Sequence, residues 1–286
     1  MTLDIRPLTP TIGAEIRGID LRADLDARTV AAVRRAWLEH GVLFFRDQAI
    51  EPEDQIRFAR HFGEIQLPVF ENKSTETPGL TVVDQSNPKG SGTDVWHADS
   101  TFMPTPPMGA ILRAVHVPAC GGDTLWADMA AAYDALEPDL RARLDGLSAE
   151  HSATRVMALV ERLDNAYARD RQIAPPVVHP IVRVHPETKR KLLFVSPNWV
   201  DRIVGLPEAE SESLLRRLYE HVKQPELQCR FRWRRDSIAF WDNRRTQHYA
   251  VADYRERRVM HRVMLAGDVP FGSTRGIRTS NDASSP

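Results

Sequence analysis

The sequence is short of cysteine. Cys120 and Cys229 are the only two among 286 residues, which excludes a disulfide framework and makes a reducing compartment the expectation. Net charge is scarce as well: at −1, with no long run of one sign, the chain has no basic field for nucleic acid, so polyanionic partners are discounted. Long apolar runs are missing. No segment reaches the roughly 18 apolar residues that would cross a bilayer, and the N-terminus through Arg17 has no apolar core of signal-peptide type, so a cytoplasmic protein with no membrane partner is expected. Neither an internal repeat nor a glycine- or serine-rich linker divides the chain. With 42% apolar residues there is ample material for a sizeable core, and residues 1–271 read as a single domain followed by a loose tail over 272–286.

The pattern that is present is mainly β with inserted helices. Alternation over Gly13 to Leu21 predicts a strand, Asp26 caps an amphipathic helix to about His40, and Val42 to Phe45 is a short buried strand. Pro52 to Phe62 reads as a helix with proline in its first turn. Strands then follow at Leu80 to Val83, Trp96 to Thr101, Ala110 to Val117 and Asp123 to Ala127, with helical stretches near Met129 to Leu136 and Pro138 to Leu147. Further strands are read at Val177 to Val184, Leu192 to Val195, Gln228 to Trp233, Ser237 to Trp241 and Arg257 to Leu265, interrupted by a helix from Glu208 to about Val222. Many strands with helices between them predict an α+β chain whose core is a jelly roll covered by helices. The polar stretch from Ala153 to Ile173 reads as an insertion placed to cover a site.

The most informative segment is Trp96-His97-Ala98-Asp99-Ser100-Thr101-Phe102. On an extended strand His97 and Asp99 point to one face, and could supply two ligands of a 2-His-1-carboxylate iron site. The third is assigned to His248, which follows the apolar strand ending in Trp241-Asp242-Asn243-Arg244. Such a triad leaves one face of Fe(II) open for an α-keto acid and dioxygen. With ten histidines, about one His-X-Asp is expected by chance, so context has to select among candidates. The competitor His185-Pro186-Glu187 lies in a polar, proline-containing link between apolar runs and reads as a solvated hairpin turn. The other histidines read as structural: His40 and His221 near helix C-termini, His116, His151 and His179 in or beside strands. On the final strand, Arg258 and Arg262 share a face while His261 points away. Their backbones stand about 13 Å apart, which suits two anionic groups better than one. Two arginines on an edge strand that pair with surface carboxylates are the plainer alternative.

Four motifs in order, Trp96-His97-Ala98-Asp99, Gly121-Gly122-Asp123-Thr124, Trp241-Asp242-Asn243-Arg244 through His248, and Arg257-Arg258-Val259-Met260-His261-Arg262, carry a resemblance. From Gly13 to Phe271 the chain resembles the taurine dioxygenase and 2,4-dichlorophenoxyacetate dioxygenase family, Fe(II)/2-oxoglutarate oxygenases with a double-stranded β-helix core. The resemblance implies Fe(II), 2-oxoglutarate as cosubstrate and O2, with succinate and CO2 released as a small organic anion is hydroxylated. It places Thr124 and Arg258 on the distal carboxylate of 2-oxoglutarate and Arg262 on the acidic group of the substrate. Hydroxylation at a carbon bearing sulfonate, sulfate or aryl ether gives a product that falls apart, so the net reaction would be desulfonation or ether cleavage. Homo-oligomers are common in the family, which leaves self-association open.

The departures bear on the substrate. Gly63 to Phe70 lacks the sulfonate-binding histidine of taurine-specific members, Phe70 replaces their tyrosine, and Thr93 stands where they carry asparagine. Leu67, Phe70 and Thr93 are therefore candidate substrate contacts of a more apolar pocket, suited to an alkyl sulfonate, an alkyl sulfate or an aryloxyalkanoate of the 2,4-D or dichlorprop type. A non-catalytic β-barrel that merely binds an organic anion is the alternative from another class.

Overall fold

The computed structural model describes residues 3–67, 76–90, 92–162 and 174–273. In chain order the elements are β1 (Asp4–Pro7), β2 (Ala14–Arg17), α1 (Ala27–His40), β3 (Val42–Phe45), α2 (Pro52–Arg60), β4 (Ile65–Gln66), β5 (Leu80–Gln85), β6 (Gly109–His116), β7 (Thr124–Asp128), α3 (Met129–Asp134), α4 (Pro138–Leu144), β8 (Ser148–His151) and α5 (Thr154–Arg162). They continue with β9 (Val177–Pro180), β10 (Val182–Val184), β11 (Lys191–Leu193), β12 (Val200–Ile203), α6 (Glu208–Val222), a 3-10 turn (Pro225–Leu227), β13 (Gln228–Phe231), β14 (Ile238–Asp242), β15 (Thr246–Ala250) and β16 (Arg258–Leu265).

One large sheet runs β1-β2-β3-β14-β6-β16-β4, with β5 also on β16, and a smaller sheet runs β13-β7-β15. The side chains explain how they stack. Val42 and Phe44 of β3, Ala239 and Trp241 of β14 and Met260 of β16 pack with Trp126 of β7 and Cys229 and Phe231 of β13, filling the space between the sheets. The alternate residues Leu43, Phe45, Ile238, Phe240 and Val263 join Val33 and Trp37 of α1 and Ile56 and Phe58 of α2 on the outer face. Covered on both sides, β3 and β14 have no exposed position, which is why they read as unbroken apolar runs. The result is a jelly-roll sandwich with helices over one face. A second core, outside the sandwich, joins α3, α4 and α6 to β11.

Local signals account for both ends of α1. Asp26 accepts the Thr29 N–H at 2.7 Å, and Gly41 closes α1 at φ +72°, where a Cβ would also meet the Thr246 methyl at 3.3 Å. Three expectations need correction. Trp96 to Thr101 is not a strand: His97 makes an isolated bridge, and Asp99 and Ser100 turn, with Ser100 at φ +51°. Val177 to Val184 breaks at Ile181, which separates β9 from β10. The His185 link does form the β10–β11 hairpin, and Lys189 and Arg190 at its far end are exposed, but His185 itself is not solvated: it is 1% exposed and its Nε2 donates to Asp242 Oδ2 at 3.0 Å. Of the insertion read over 153–173, residues 154–162 form α5 and 163–173 lie outside the described residues. Of the tail read over 272–286, Gly272 and Ser273 are described, the latter bonded to Asp145 Oδ1 at 2.5 Å, and 274–286 lie outside. No helix among the described residues is long and apolar enough to cross a membrane.

Candidate active site

His248 sits in the middle of β15, opposite Trp126 of β7, in a regular antiparallel ladder. His97 meets it from the other side through two backbone bonds, His97 N–H to His248 O at 3.0 Å and His248 N–H to His97 O at 2.7 Å. Directly opposed residues of an antiparallel bridge present their side chains to one face. The two imidazoles accordingly lie 4.1 Å apart, centroid to centroid. The turn after Ala98 then swings Asp99 back toward them, so that its Oδ1 lies 3.9 Å from His97 Nε2 and 3.9 Å from His248 Nε2. Same-face geometry thus holds without the strand that was expected to provide it.

Ligand atoms of His97, Asp99 and His248 all lie within 4.8 Å of one another, the one such cluster of three among the described residues. Their chemistry suits a divalent cation of the non-haem iron kind. His97 Nδ1 donates to Val95 O at 2.7 Å, which leaves the Nε2 lone pair facing the cluster. Burial lowers the His97 pKa and pushes that of His248 down to about 3, so both rings are neutral and able to ligate at pH 7. For Asp99, burial opposes ionisation, but His248, Arg262 and His97 outweigh it and keep the carboxyl below its usual range. With the imidazoles neutral, Arg262 is the standing charge in that group, its Nη1 lying 3.7 Å from Asp99 Oδ1. Asp99 Oδ2 and His248 Nδ1 are buried with no hydrogen-bond partner among the described residues, and such a carboxylate oxygen calls for a cation.

A pocket opens beside the cluster, and Thr124, Arg258, Arg262 and Thr93 share its wall with His97 and His248. Thr124 begins β7 after the Gly121-Gly122 turn, where both glycines have positive φ. A Cβ on Gly121 would stand 2.7 Å from Asp253 Oδ1, and one on Gly122 would stand 3.2 Å from the Tyr254 ring. The turn can therefore close on Asp253 and Tyr254, the residues that lead into Arg258. Thr124 Oγ1 accepts the Trp233 indole N–H at 2.9 Å, which leaves its own hydroxyl proton to donate into the pocket. Arg258 is 5% exposed, lies 5.7 Å from the Trp233 ring centroid, and has no carboxylate within ion-pair reach among the described residues. Burial lowers its pKa, opposed by its bond to Tyr254. Asp123 attracts it from beyond ion-pair reach, and a buried guanidinium without a directly paired carboxylate is costly unless an anion completes it.

The neighbouring aromatic residues and the other sequence candidates fall as follows. Trp241 packs against His248, ring centroids 5.0 Å apart, and also lines the pocket. Phe102 packs on Trp199 at 4.9 Å as part of a small core. Leu67 is 68% exposed just past β4 and is absent from the pocket wall, and Phe70 lies outside the described residues. His185 and Glu187 do not gather as ligands: Glu187 pairs with Arg244 and Arg34, both at 2.8 Å. His151 and His179 are buried and bonded to Thr101 Oγ1 and Met103 O, and His221 Nε2 donates to Ala132 O. Sequence reasoning missed Tyr254 and Trp233 as supports of Arg258 and Thr124. Trp233 was inside a recognised strand run, but nothing in the pattern tells which buried tryptophan turns its N–H to a site.

The family model described as "Taurine catabolism dioxygenase TauD, TfdA family" matches residues 4–264. An alpha-ketoglutarate-dependent sulfate ester dioxygenase of Pseudomonas putida is 41% identical, over 95% of this chain and 92% of its own. An (S)-phenoxypropionate/alpha-ketoglutarate-dioxygenase of Sphingobium herbicidovorans is 38% identical, over 93% of this chain and 95% of its own. Among solved structures, a taurine dioxygenase from Burkholderia xenovorans superposes with a TM-score of 0.83 at 39% identity, covering 96% of this chain and 92% of that one.

Proposed function

The chain belongs to the TauD/TfdA family of dioxygenases, and from that premise we propose that His97, Asp99 and His248 hold Fe(II), that Thr124 and Arg258 hold the distal carboxylate of 2-oxoglutarate, and that Arg262 meets the acidic group of the prime substrate. It is a 2-oxoglutarate-dependent dioxygenase acting on a small organic anion. The observation that carries the assignment is one pocket wall shared by two chemistries: His97 and His248 of a buried His-Asp-His cluster, and a buried arginine with no ion-paired carboxylate among the described residues. That pairing fits a cosubstrate with a metal-chelating end and an anionic end. We read residues 1–271 as one catalytic domain.

Bound at the triad, Fe(II) would supply the O2 activation that decarboxylates 2-oxoglutarate to succinate and CO2 and oxidises a substrate C–H bond. The chain's own contribution is orientation. Thr124 donates its hydroxyl proton, and Arg258 its fork of N–H groups, to one carboxylate in a pocket lined by Trp126 and Trp241, with Trp233 holding Thr124 from behind. Arg262, farther along β16 on the same face, holds the second anion and, by its distance to Asp99, biases that carboxylate toward the ionised form. Neither arginine shifts a proton in the reaction. Both fix where anions sit.

For the substrate we propose a longer alkyl or aromatic sulfate, sulfonate or carboxylate in preference to taurine. The relatives named for sulfate esters and phenoxypropionate support this, as does Thr93 on the pocket wall in place of an amide. Each buried methylene would favour the larger ligand by roughly 0.8 kcal/mol, and an amine left without partners costs about 1 to 3 kcal/mol. The test is succinate release from purified enzyme with Fe(II), 2-oxoglutarate and ascorbate over matched alkyl sulfates, alkyl sulfonates, aryloxypropionates and taurine. Taurine is expected to trail the best of these by about 100-fold in kcat/KM. If taurine wins, the reading of the Leu67 and Thr93 region is wrong. Release of a phenol rather than sulfate or sulfite would favour the aryloxyalkanoate reading.

A further inference from the structure

Asp99 has no strand ladder to hold it, because the pairing of its segment with β15, through Thr93 O and the His97 bridge, ends at His97 and the chain turns immediately after Ala98. Its backbone is held instead by one side chain. Asn243 Oδ1 accepts the Asp99 N–H at 2.7 Å, and Asn243 Nδ2 donates to Asp99 O at 3.0 Å and to Pro107 O at 3.0 Å. A single carboxamide thereby satisfies both main-chain polar groups of Asp99, as a neighbouring strand would. Asn243 is 1% exposed, and its own N–H donates to Met108 O at 3.0 Å.

The turn that presents Asn243 is itself anchored on both sides. Asp242, fully buried, accepts from Arg244 Nε at 2.9 Å, Arg244 Nη2 at 2.7 Å and His185 Nε2 at 3.0 Å. Arg245 binds Asp128 Oδ1 at 3.1 Å and donates to Leu38 O at 2.7 Å and Glu39 O at 3.0 Å, the last carbonyls of α1. Asp242 and Arg245 cannot reach Asp99; what they fix is the place from which Asn243 does. The same turn continues directly into β15 and His248.

We infer that Asn243 is a positioning residue, which holds the Asp99 carboxylate in its metal-binding pose through the Asp99 main chain and locks the Asp99 turn to the hairpin that carries His248. The inference rests on the proposed ligand set. A ligand ordered before the metal arrives does not have to be ordered by it, so losing the clamp should weaken metal binding more than it weakens cosubstrate binding.

The probe is Mn(II), titrated into metal-free protein and followed by the electron paramagnetic resonance of the free ion. Asn243→Ala removes all three bonds; Asn243→Asp is nearly isosteric, keeps an acceptor for the Asp99 N–H and loses the donors. Both are expected to raise the Mn(II) dissociation constant by about 10- to 100-fold. The KM for 2-oxoglutarate at saturating Fe(II) should change by less than about threefold, since Arg258 and Thr124 do not touch the clamp. Ser211→Ala is the stability control. It deletes a buried acceptor of the Ile203 N–H, 2.8 Å away and in a different sheet, and should lower Tm with no change in Mn(II) affinity. A folded Asn243→Asp protein that binds Mn(II) like wild type overturns the inference. His97→Ala or Asp99→Ala protein that binds Mn(II) like wild type overturns the ligand set instead, so the two failures are distinct. If neither Asn243 variant folds, hydrogen exchange in metal-free wild type decides. The Asp99 amide should be protected although it belongs to no ladder, and rapid exchange there sinks the inference.

Discussion

His248 and Asp99 face each other across less than 4 Å, yet they are held in different ways. His248 belongs to β15, whose whole length is paired to β7, so its place follows from sheet register. The stretch from Gly92 to Met103 meets β15 only through the His97 bridge and the Ala250 N–H to Thr93 O bond among the described residues, with no strand ladder, and side chains from elsewhere bond to it. Asn198 Nδ2 donates to Gly92 O, Trp199 Nε1 to Ala98 O, Asn243 to Asp99, and His179 Nε2 to Met103 O. The donors come from distant parts of the chain. A register slip in β15 would turn every side chain of that strand over, which makes the ladder-held half robust to single changes. The stapled half depends on individual residues, and its failures should be local.

At the site itself the two halves should be equal. Alanine at His97, Asp99 or His248 removes a proposed ligand without requiring the fold to fail, so succinate release should drop to background while far-UV circular dichroism stays near native. Wild-type-like release from His248→Ala would break the comparison at its root, because the ladder-held half would then contribute no ligand.

Within the ladder-held half, Arg258 and Arg262 of β16 separate cosubstrate from substrate. Losing a charge-assisted partner in a dry site should cost about 2 to 5 kcal/mol, roughly 30-fold or more in the constant affected. Arg258→Ala is expected to raise the requirement for 2-oxoglutarate, and Arg262→Ala chiefly that for the prime substrate. Steady-state kinetics with each varied in turn checks this, and the reverse pattern would swap the two roles. Because Arg262 also lies 3.7 Å from Asp99 Oδ1, its variant should show some loss of metal affinity that Arg258→Ala does not.

How far the sequence was legible follows the same division. Asp26, Gly41 and the alternating partners of β3 and β14 are local or periodic signals, so α1 and the sandwich strands could be read directly. The gathering of His97, Asp99 and His248 was also legible, since His-X-Asp and a later histidine are few, but the reason given for it was not the one the molecule uses. A strand was expected under His97 and Asp99 because alternation looks the same in a stapled loop. Asn243, Trp199 and Trp233 act through bonds between residues far apart in sequence, and no spacing rule reports such pairs. His185-Pro186-Glu187 misled in a similar way. Its polar composition suggested solvent, whereas His185 and Glu187 meet the buried Asp242 and Arg244.

Trp199→Phe sharpens the contrast by removing one staple while keeping most of the ring. Trp199 is 7% exposed, and its Nε1 donates to Ala98 O at 2.8 Å. The orphaned carbonyl should cost about 1 to 3 kcal/mol, a fall in Tm of roughly 2 to 4 °C for each kcal/mol. Differential scanning calorimetry on metal-free protein is the measurement. No fall in Tm would mean that the Ala98 carbonyl finds another donor and that the staple is dispensable.

The smallest effect concerns acid. His151 is fully buried beside Phe194 and His179, with Nδ1 bonded to Thr101 Oγ1 at 2.9 Å and Nε2 without a partner among the described residues. Burial first, and His179 second, push its pKa down to about 3. The unfolded chain, near the ordinary 6.5, therefore binds one more proton than the folded chain between those two values. Stability from keeping this ring neutral is complete above about pH 6.5 and is lost as pH falls through that window, at up to about 1.4 kcal/mol per unit. His151→Gln can still bond to Thr101 but cannot titrate. Between pH 7.5 and 5.5, wild type should lose about 1.4 kcal/mol more than His151→Gln in urea unfolding, and the lowered pKa of His179 adds the same acid sensitivity to both proteins. Equal losses in the two proteins would show that His151 accepts a proton in place, and that this side of the ligand-bearing turn is wetter than its packing implies.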